Sequence, residues 1–446
     1  MTQELLELAR RAAGQAKAGE QVEVYASRGE SVEVRVHAAE VESLTSASSA
    51  GVGIRVVVDH RQGFAWGASL DEDIVCDTLA EARDNAPFGE PADWNGLAES
   101  DGVPAPEADL DRPGLSAFAT DDKVELALRL EATVRGADPR IKGVRSSIWS
   151  DGRSERAIAT STGLEAWGRS GSCALSVQAM ATDGTETRTA GGSGVEREPA
   201  DLDLEEIARE AVERSTRLLG ARPIPSERCT VVFEPQVTAA FLAIIGSLVS
   251  GSAVLKGRSL FDGRLGEQVA ATAFTLVDDP TDPESIGGMA HDGEGLASRR
   301  NVVIEAGTLQ TFLWDATTGR RRGTPSTGSA VRGYRSTPSP GVRSLSIVPG
   351  ASDADGLLAS AGDGFLVQSL KGLNSGVNRV SGDFSVGAEG MRIRGGVLAE
   401  PVAGVTIAST LPRMLLAVRD VGRDVRRMGS TRCGGLVVGD IALGGS

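Results

Sequence analysis

Apolar and polar positions recur in two periods along the first half of the chain, and the changes of period mark out its elements. In residues 2–18, Leu5, Leu8, Ala9, Ala12 and Ala16 fall on one helical stripe. The period then drops to two. Val22 and Val24 alternate with Glu23 and Tyr25, and Val32, Val34 and Val36 with Glu33, Arg35 and His37. This predicts strands with one buried face. Residues 53–58 and 63–69 flank Asp59-His60-Arg61-Gln62, a hairpin pattern. Residues 71–86 return to helical spacing through Ile74, Val75, Thr78, Leu79 and Ala82. From 87 to 114 periodicity gives way to Pro, Gly, Asp and Glu, which predicts a long loop or insertion.

A helix is predicted over 121–137. Short β runs at 144–149, 154–160, 164–167 and 174–180 are separated by Asp-Gly, Thr-Gly and Gly-Ser, so residues 142–195 read as an antiparallel meander. The clearest helix spans 203–219, where Asp203 and Glu206 stand in a capping-box arrangement. Ala221-Arg222-Pro223-Ile224-Pro225-Ser226 is a stiff link and marks a domain boundary. Beyond it come a strand at 229–233, an apolar helix at 236–249, and short β runs with many glycines. Residues 413–426 form the one late helix candidate. The expected fold is α+β. An N-terminal α/β domain (1–222) has an antiparallel sheet and flanking helices. A C-terminal, mainly β domain (227–446) is barrel- or sandwich-like.

Aromatic residues make up only 4% of the chain, so Val, Leu, Ile and Ala must build its cores. The net charge of −15 is uneven: residues 1–220 carry −17 and the rest +2. An acidic half argues against nucleic-acid binding. The four cysteines (Cys76, Cys173, Cys229, Cys433) are far apart and indicate neither a disulfide framework nor a zinc knuckle. The N-terminal helix pattern lacks the apolar core of a secretory signal, and no apolar run is long enough to span a membrane. The chain reads as cytoplasmic.

Candidate chemistry is sparse. His37, His60 and His291 are the only histidines, and none has a second histidine four or five residues on. No phosphate loop, nucleophile elbow or dinucleotide fingerprint occurs. The most distinctive stretch is 371–390, with glycines at intervals of three to six residues and a strand pattern around Phe384 and Val386. It reads either as a pair of β-turns or as a backbone-lined groove for a peptide or partner. The candidate groove residues are Gly376, Asn378, Gly382, Asp383 and Gly387, with Ser326, Thr327 and Gly328 from a second phrase.

Several phrases gain weight together: Leu260-Phe261-Asp262-Gly263-Arg264-Leu265-Gly266, Asp292-Gly293-Glu294-Gly295, Arg299-Arg300-Asn301-Val302-Val303-Ile304-Glu305, Ser326-Thr327-Gly328-Ser329-Ala330, the 371–390 stretch, and Arg432-Cys433-Gly434-Gly435. In order and spacing the chain resembles the TldD/PmbA family over essentially its whole length. The resemblance implies a two-subunit zinc metalloprotease. One subunit, TldD, carries a His-Glu-x-x-x-His helix and a cysteine ligand near its C-terminus; the other, TldE, lacks the histidines. Here the corresponding helix reads Phe241-Leu242-Ala243-Ile244-Ile245-Gly246-Ser247-Leu248-Val249, and Cys433 stands near the position of the ligand cysteine. Alone it cannot hold zinc, and a small buried hydrophobe is its simpler role. The chain therefore resembles the TldE side. The implied activity is degradation of small unfolded peptides and trimming of modified-peptide precursors. No catalytic or metal residue is expected in this chain, and zinc is expected in a TldD-like partner, with a homodimer possible in isolation. The alternative is a stand-alone peptide-binding or scaffold protein. An enzyme with its own site is disfavoured by the missing histidine pair.

Overall fold

The computed structural model describes residues 2–107 and 110–445. Its first half is one six-stranded antiparallel sheet in the order β3-β2-β1-β4-β5-β6. The strands are β1 (Gln21–His37), β2 (Glu40–Val58), β3 (Arg61–Gly67), β4 (Ile141–Thr160), β5 (Glu165–Thr182) and β6 (Thr187–Glu196). Two-residue turns join β1 to β2 at Ala38-Ala39 and β2 to β3 at Asp59-His60. All four residues have positive φ, the twist-matched hairpin turn geometry.

Helices cover one face of this sheet at both ends. Thr2–Ala13 and Glu72–Asn85 bury Val22, Val24, Val52, Ile54 and Val56. Thr120–Ala137 and Leu204–Thr216 bury Val34, Val36, Trp149, Leu175 and Val177. Asp203 caps the last of these helices, accepting the Glu206 N–H at 2.9 Å.

The strands are longer than the expected short β runs. Asp151-Gly152 and Gly171-Ser172 are not turns; they lie inside β4 and β5, where Gly152 faces Ser172 and Asp151 faces Cys173. Ladder pairing across long neighbouring strands overrides the local turn preference of these pairs. Of the three separators between the expected runs Thr162-Gly163 alone turns, with Gly163 at φ 92°, and Asp183-Gly184 makes the later turn between β5 and β6. The Ser-rich run 40–50 carries no strand signal in the sequence, yet it pairs with β1 along its length and is almost wholly exposed. Residues 89–107 and 110–112 of the expected loop have no regular element but are packed, and 108–109 lie outside the described residues. Leu97, Ala98 and Leu110 are buried, and Arg320 donates to the carbonyls of Trp94, Gly96 and Leu97.

In the second half, strands Glu227–Phe233, Gly364–Lys371, Asp383–Arg394, Val397–Thr410 and Leu436–Gly444 form a barrel, closed by pairing of 406–408 with 442–444. A second sheet of six short strands lies beside it. Helix Pro235–Leu248 fills the space between, burying Val237, Phe241, Leu242, Ile245 and Leu248 in the largest core. The late helix is shorter than its pattern. Leu411–Leu416 is helical, and Val418–Val421 and Arg426–Met428 are strands. Leu411, Met414, Leu415 and Val418 keep helical spacing, but Val418 and Val421 pair with Val438 and Leu436 on the barrel. Among the described residues no helix is long and apolar enough to cross a membrane.

Candidate functional site at the seam between sheet and barrel

The glycine-rich stretch forms the connection between two barrel strands. After Lys371 the chain makes a short helix, Leu373–Gly376, then a turn that re-enters the barrel at Asp383. Asn378 anchors the turn: its Oδ1 accepts the N–H groups of Val380 and Ser381, and its own N–H donates to the Asp383 carbonyl. The Ser381 hydroxyl donates to Asp383 at 2.6 Å. A Cβ on Gly376 would run into the Ser385 carbonyl oxygen. Gly382 has φ 82°, and a Cβ there would press on Leu260 and Pro412. Both glycines thus serve close approaches within the chain. Gly387 differs: a Cβ would meet only Lys371, at 3.4 Å.

Ser326, Thr327 and Gly328 sit elsewhere, folded against Trp314. Ser326 and Thr327 donate to its carbonyl, and the Thr327 hydroxyl accepts its N–H at 2.8 Å. Gly328 has φ 65° and lies against the Ala297 carbonyl. Among the described residues no hydrogen bond or ion pair joins the two groups. Leu260 lies under Gly382, while Asp262 pairs with Arg322 on the helix that leads to Ser326, so segment 260–262 stands between them.

Cys433 is fully buried, and its thiol donates to the carbonyl of Pro235, at the start of helix Pro235–Leu248. Burial pushes this thiol up to about 12, far from the thiolate that a metal needs. The helix offers only apolar and hydroxyl side chains and the amide of Gln236, and no His, Cys, Asp or Glu. Among the described residues no three His, Cys, Asp or Glu side chains gather where a metal ion could sit. The residues around Cys433 therefore do not fit a zinc ion.

The densest buried chemistry lies where the sheet meets the second half of the chain. Gly51 and Gly53 on β2 leave room for the Tyr334 ring and backbone; a Cβ at either would overlap them. Arg335 stacks on Trp66, its guanidinium carbon 4.9 Å from the ring centroid. Behind this contact Glu23 on β1 takes Arg55 at 2.7 Å and also pairs with Arg332. All three side chains are removed from solvent. Burial works to raise the Glu23 pKa, but Arg55 and Arg332 outweigh it and hold the carboxyl below its ordinary range.

Glu294 comes next in the chain of contacts. One carboxylate oxygen lies 3.4 Å from Arg55, and the other accepts the Ala316 N–H at 2.7 Å. Burial, against the pull of Arg55, pushes its pKa up to about 8. Asp292 accepts the N–H groups of Glu294, Leu296 and Ala330, and burial still lifts it to about 6. Sequence reasoning quoted Asp292-Gly293-Glu294-Gly295 but gave it no role, and it missed Glu23, Arg55 and Arg332 altogether. Those residues look like the polar face of ordinary strands. The available signal was two acidic residues spaced by glycines in a segment otherwise short of charge.

An open antiparallel sheet locked through buried ion pairs to the loops of a second half built on a small closed barrel, with an apolar helix against the barrel, defines a two-part α+β protein. The chain belongs to the PmbA/TldD metallopeptidase family. Family models match it in order: domain 1 over residues 22–86, the central domain over 114–219 and the C-terminal domain over 226–445. It is 26% identical to the metalloprotease PmbA of Escherichia coli O157:H7, over 95% of this chain and 92% of that protein. It is 29% identical to a metalloprotease TldD homolog of Haemophilus influenzae, over 80% of this chain and 76% of the relative. The crystal structure of TldE from Thermococcus kodakarensis superimposes with a TM-score of 0.90 over the whole of both chains, at 23% identity. That likeness speaks for the fold.

Proposed function

We propose that this chain is the non-catalytic, TldE/PmbA-like subunit of a heterodimeric zinc metalloprotease. With a TldD-like partner that carries the zinc, it degrades or trims small unfolded peptides, including modified-peptide precursors, in the cytoplasm. The observation that carries this reading is helix Pro235–Leu248. Where the family resemblance places a His-Glu-x-x-x-His motif, this helix presents Phe241, Leu242, Ile244 and Ile245 to an apolar core. A catalytic zinc needs about three protein ligands, and Cys433 beside the helix start is one thiol held in its protonated form. The peptidase relatives support the substrate class. In this reading Gly376, Asn378, Gly382, Asp383 and Gly387, with Ser326, Thr327 and Gly328, border the peptide or the partner.

The test is co-expression with a relative that bears the histidine motif. The pair is expected to co-purify, to cleave unstructured peptides, and to lose activity with a chelator. Metal analysis should give zinc in the pair and none in this chain alone. About one zinc per isolated chain, lost on Cys433→Ala, would overturn the proposal, and so would failure to co-purify.

A further inference from the structure

A second group of charges at the seam has no carboxylate in ion-pair contact among the described residues, as Glu23 is for the first; Asp292 acts on Arg156 and Arg343, and Asp278 on Arg343, from farther away. Arg156 on β4 makes a single long hydrogen bond, 3.4 Å from its Nη2 to the His291 carbonyl, and no ion pair among the described residues. The Arg343 guanidinium makes no hydrogen bond or ion pair among the described residues, and its Nε is buried. His291 has a buried Nδ1 with no partner. Arg332, though paired with Glu23, lies over the Tyr25 ring and leaves Nε and Nη2 buried without partners. Burial pulls all three arginines below their ordinary pKa, Arg343 to about 10.

Buried cations with donors left unpartnered are costly, and a cluster of them beside a cavity is a candidate site for an anion. The other charged cleft shows the contrast. There a cavity of about 480 Å3 is lined by Arg214, Arg217 and Arg426, and each has a glutamate: Glu234 for the first two and Glu210 for the third.

Arg156 and His291 are half-buried and open onto a cavity of about 630 Å3. Its walls include Leu110, Pro106 and Trp167, the last 51% exposed. Asp111 in the same wall is engaged by Arg153 through two 2.8 Å bonds, and Glu107 is at the exposed rim. Neither neutralises Arg156.

We propose that Arg156 and His291, backed by Arg343, form a seat for the C-terminal carboxylate of a peptide, with Trp167 receiving the last side chain. A carboxylate would give the Arg156 guanidinium the charge-assisted partner it lacks. Arg343 stands behind Arg156 and adds positive potential without touching the ligand. The choice of a peptide rests on the peptidase reading above; the excess of cations does not.

Calorimetric titration of the isolated full chain tests the seat. The probes are a five-residue peptide ending in leucine as the free acid, the same peptide as its C-terminal amide, and inorganic phosphate. The free acid is expected to bind at least ~10-fold more tightly than the amide. Arg156→Gln should abolish that preference, and Arg343→Met should weaken it several-fold. Arg156→Gln should not lower Tm, because its side chain has no strong partner to lose, whereas Arg343→Met also removes a charge that acts on buried Asp278. Equal binding of acid and amide overturns the proposal. So does phosphate binding without peptide binding, and so does a Tm that falls by several degrees in both variants, which would make the arginines structural. The titration needs no partner subunit. Acid-selective binding by a chain that never joins a peptidase would therefore leave the seat standing and remove the function proposed above.

Discussion

The glycine-rich connection 371–390 and the charged seam around Glu23 hold their special residues for opposite reasons. In the connection, Gly376 and Gly382 solve problems internal to the chain: one clears the Ser385 carbonyl, and the other takes a positive φ above Leu260 and Pro412. In the seam, Gly51 and Gly53 make way for Tyr334, more than 280 residues further along the chain, and Glu23 and Arg55, opposite each other in the β1–β2 hairpin, reach Arg332 and Glu294 from the second half. A conspicuous local composition here marks a local need. The long-range chemistry is carried by residues that look ordinary one at a time.

The largest expected effect breaks the seam. Glu23→Gln leaves Arg55 and Arg332 buried around a neutral amide. Removing one partner of a buried ionic cluster costs about 3–5 kcal/mol, because the stranded charges keep their desolvation penalty. Urea unfolding of the variant against the parent measures it. A loss below about 1 kcal/mol would put the seam on a par with surface ion pairs and erase the contrast with the connection.

That asymmetry also explains what could be read in advance. The flanking helices were legible because each repeats a period over ten or more residues, the apolar helix from its unbroken run of apolar residues, and the antiparallel sheet from short alternating runs. Asp203 was legible as a cap because its partner is three residues away. The length of β4 and β5 was not, since Asp151-Gly152 and Gly171-Ser172 behave as strand only when both neighbours are present. The Ser-rich half of β2 was not, because both of its faces are exposed and no apolar alternation records it. The candidate site was legible only in fragments. Glu23, Arg55, Glu294 and Arg332 come from four segments, and no spacing rule connects them.

A smaller effect sharpens the role of Glu294. Its folded pKa of about 8 lies above the ordinary 4.5, so folding takes up a proton and stability falls as pH rises through the folded value. Asp292 has the same sign but titrates near 6, and His291, pulled below 6.5 by burial, opposes it at lower pH. Asp278 and Glu196, also raised by burial, carry the same sign, so the difference between parent and Glu294→Gln isolates the share of Glu294 between pH 6.5 and 8. Parent stability should decline there by up to about 1.4 kcal/mol per pH unit more than that of Glu294→Gln. The variant, which cannot ionise at this position, should overtake the parent by pH 8. Parallel unfolding curves for the two proteins from pH 6.5 to 8 would show that Glu294 is already charged at neutral pH.

The smallest effect on stability is the most informative about the connection. Gly387 sits in a regular strand, half-buried, and a methyl group would meet only Lys371, at 3.4 Å or beyond. Gly387→Ala should therefore change folding free energy by no more than about 0.5 kcal/mol. Any larger consequence has to come from outside the chain. In the co-purified pair, unchanged peptidase activity would mean that nothing approaches the backbone here, and the connection would be a turn and no more. A fall in activity of about tenfold, with Tm and co-purification intact, would place the peptide against this strand. Loss of co-purification would place the partner there. Since the variant is expected to be as stable as the parent, none of these outcomes can be put down to unfolding, an escape that substitutions at Gly376 or Gly382 leave open.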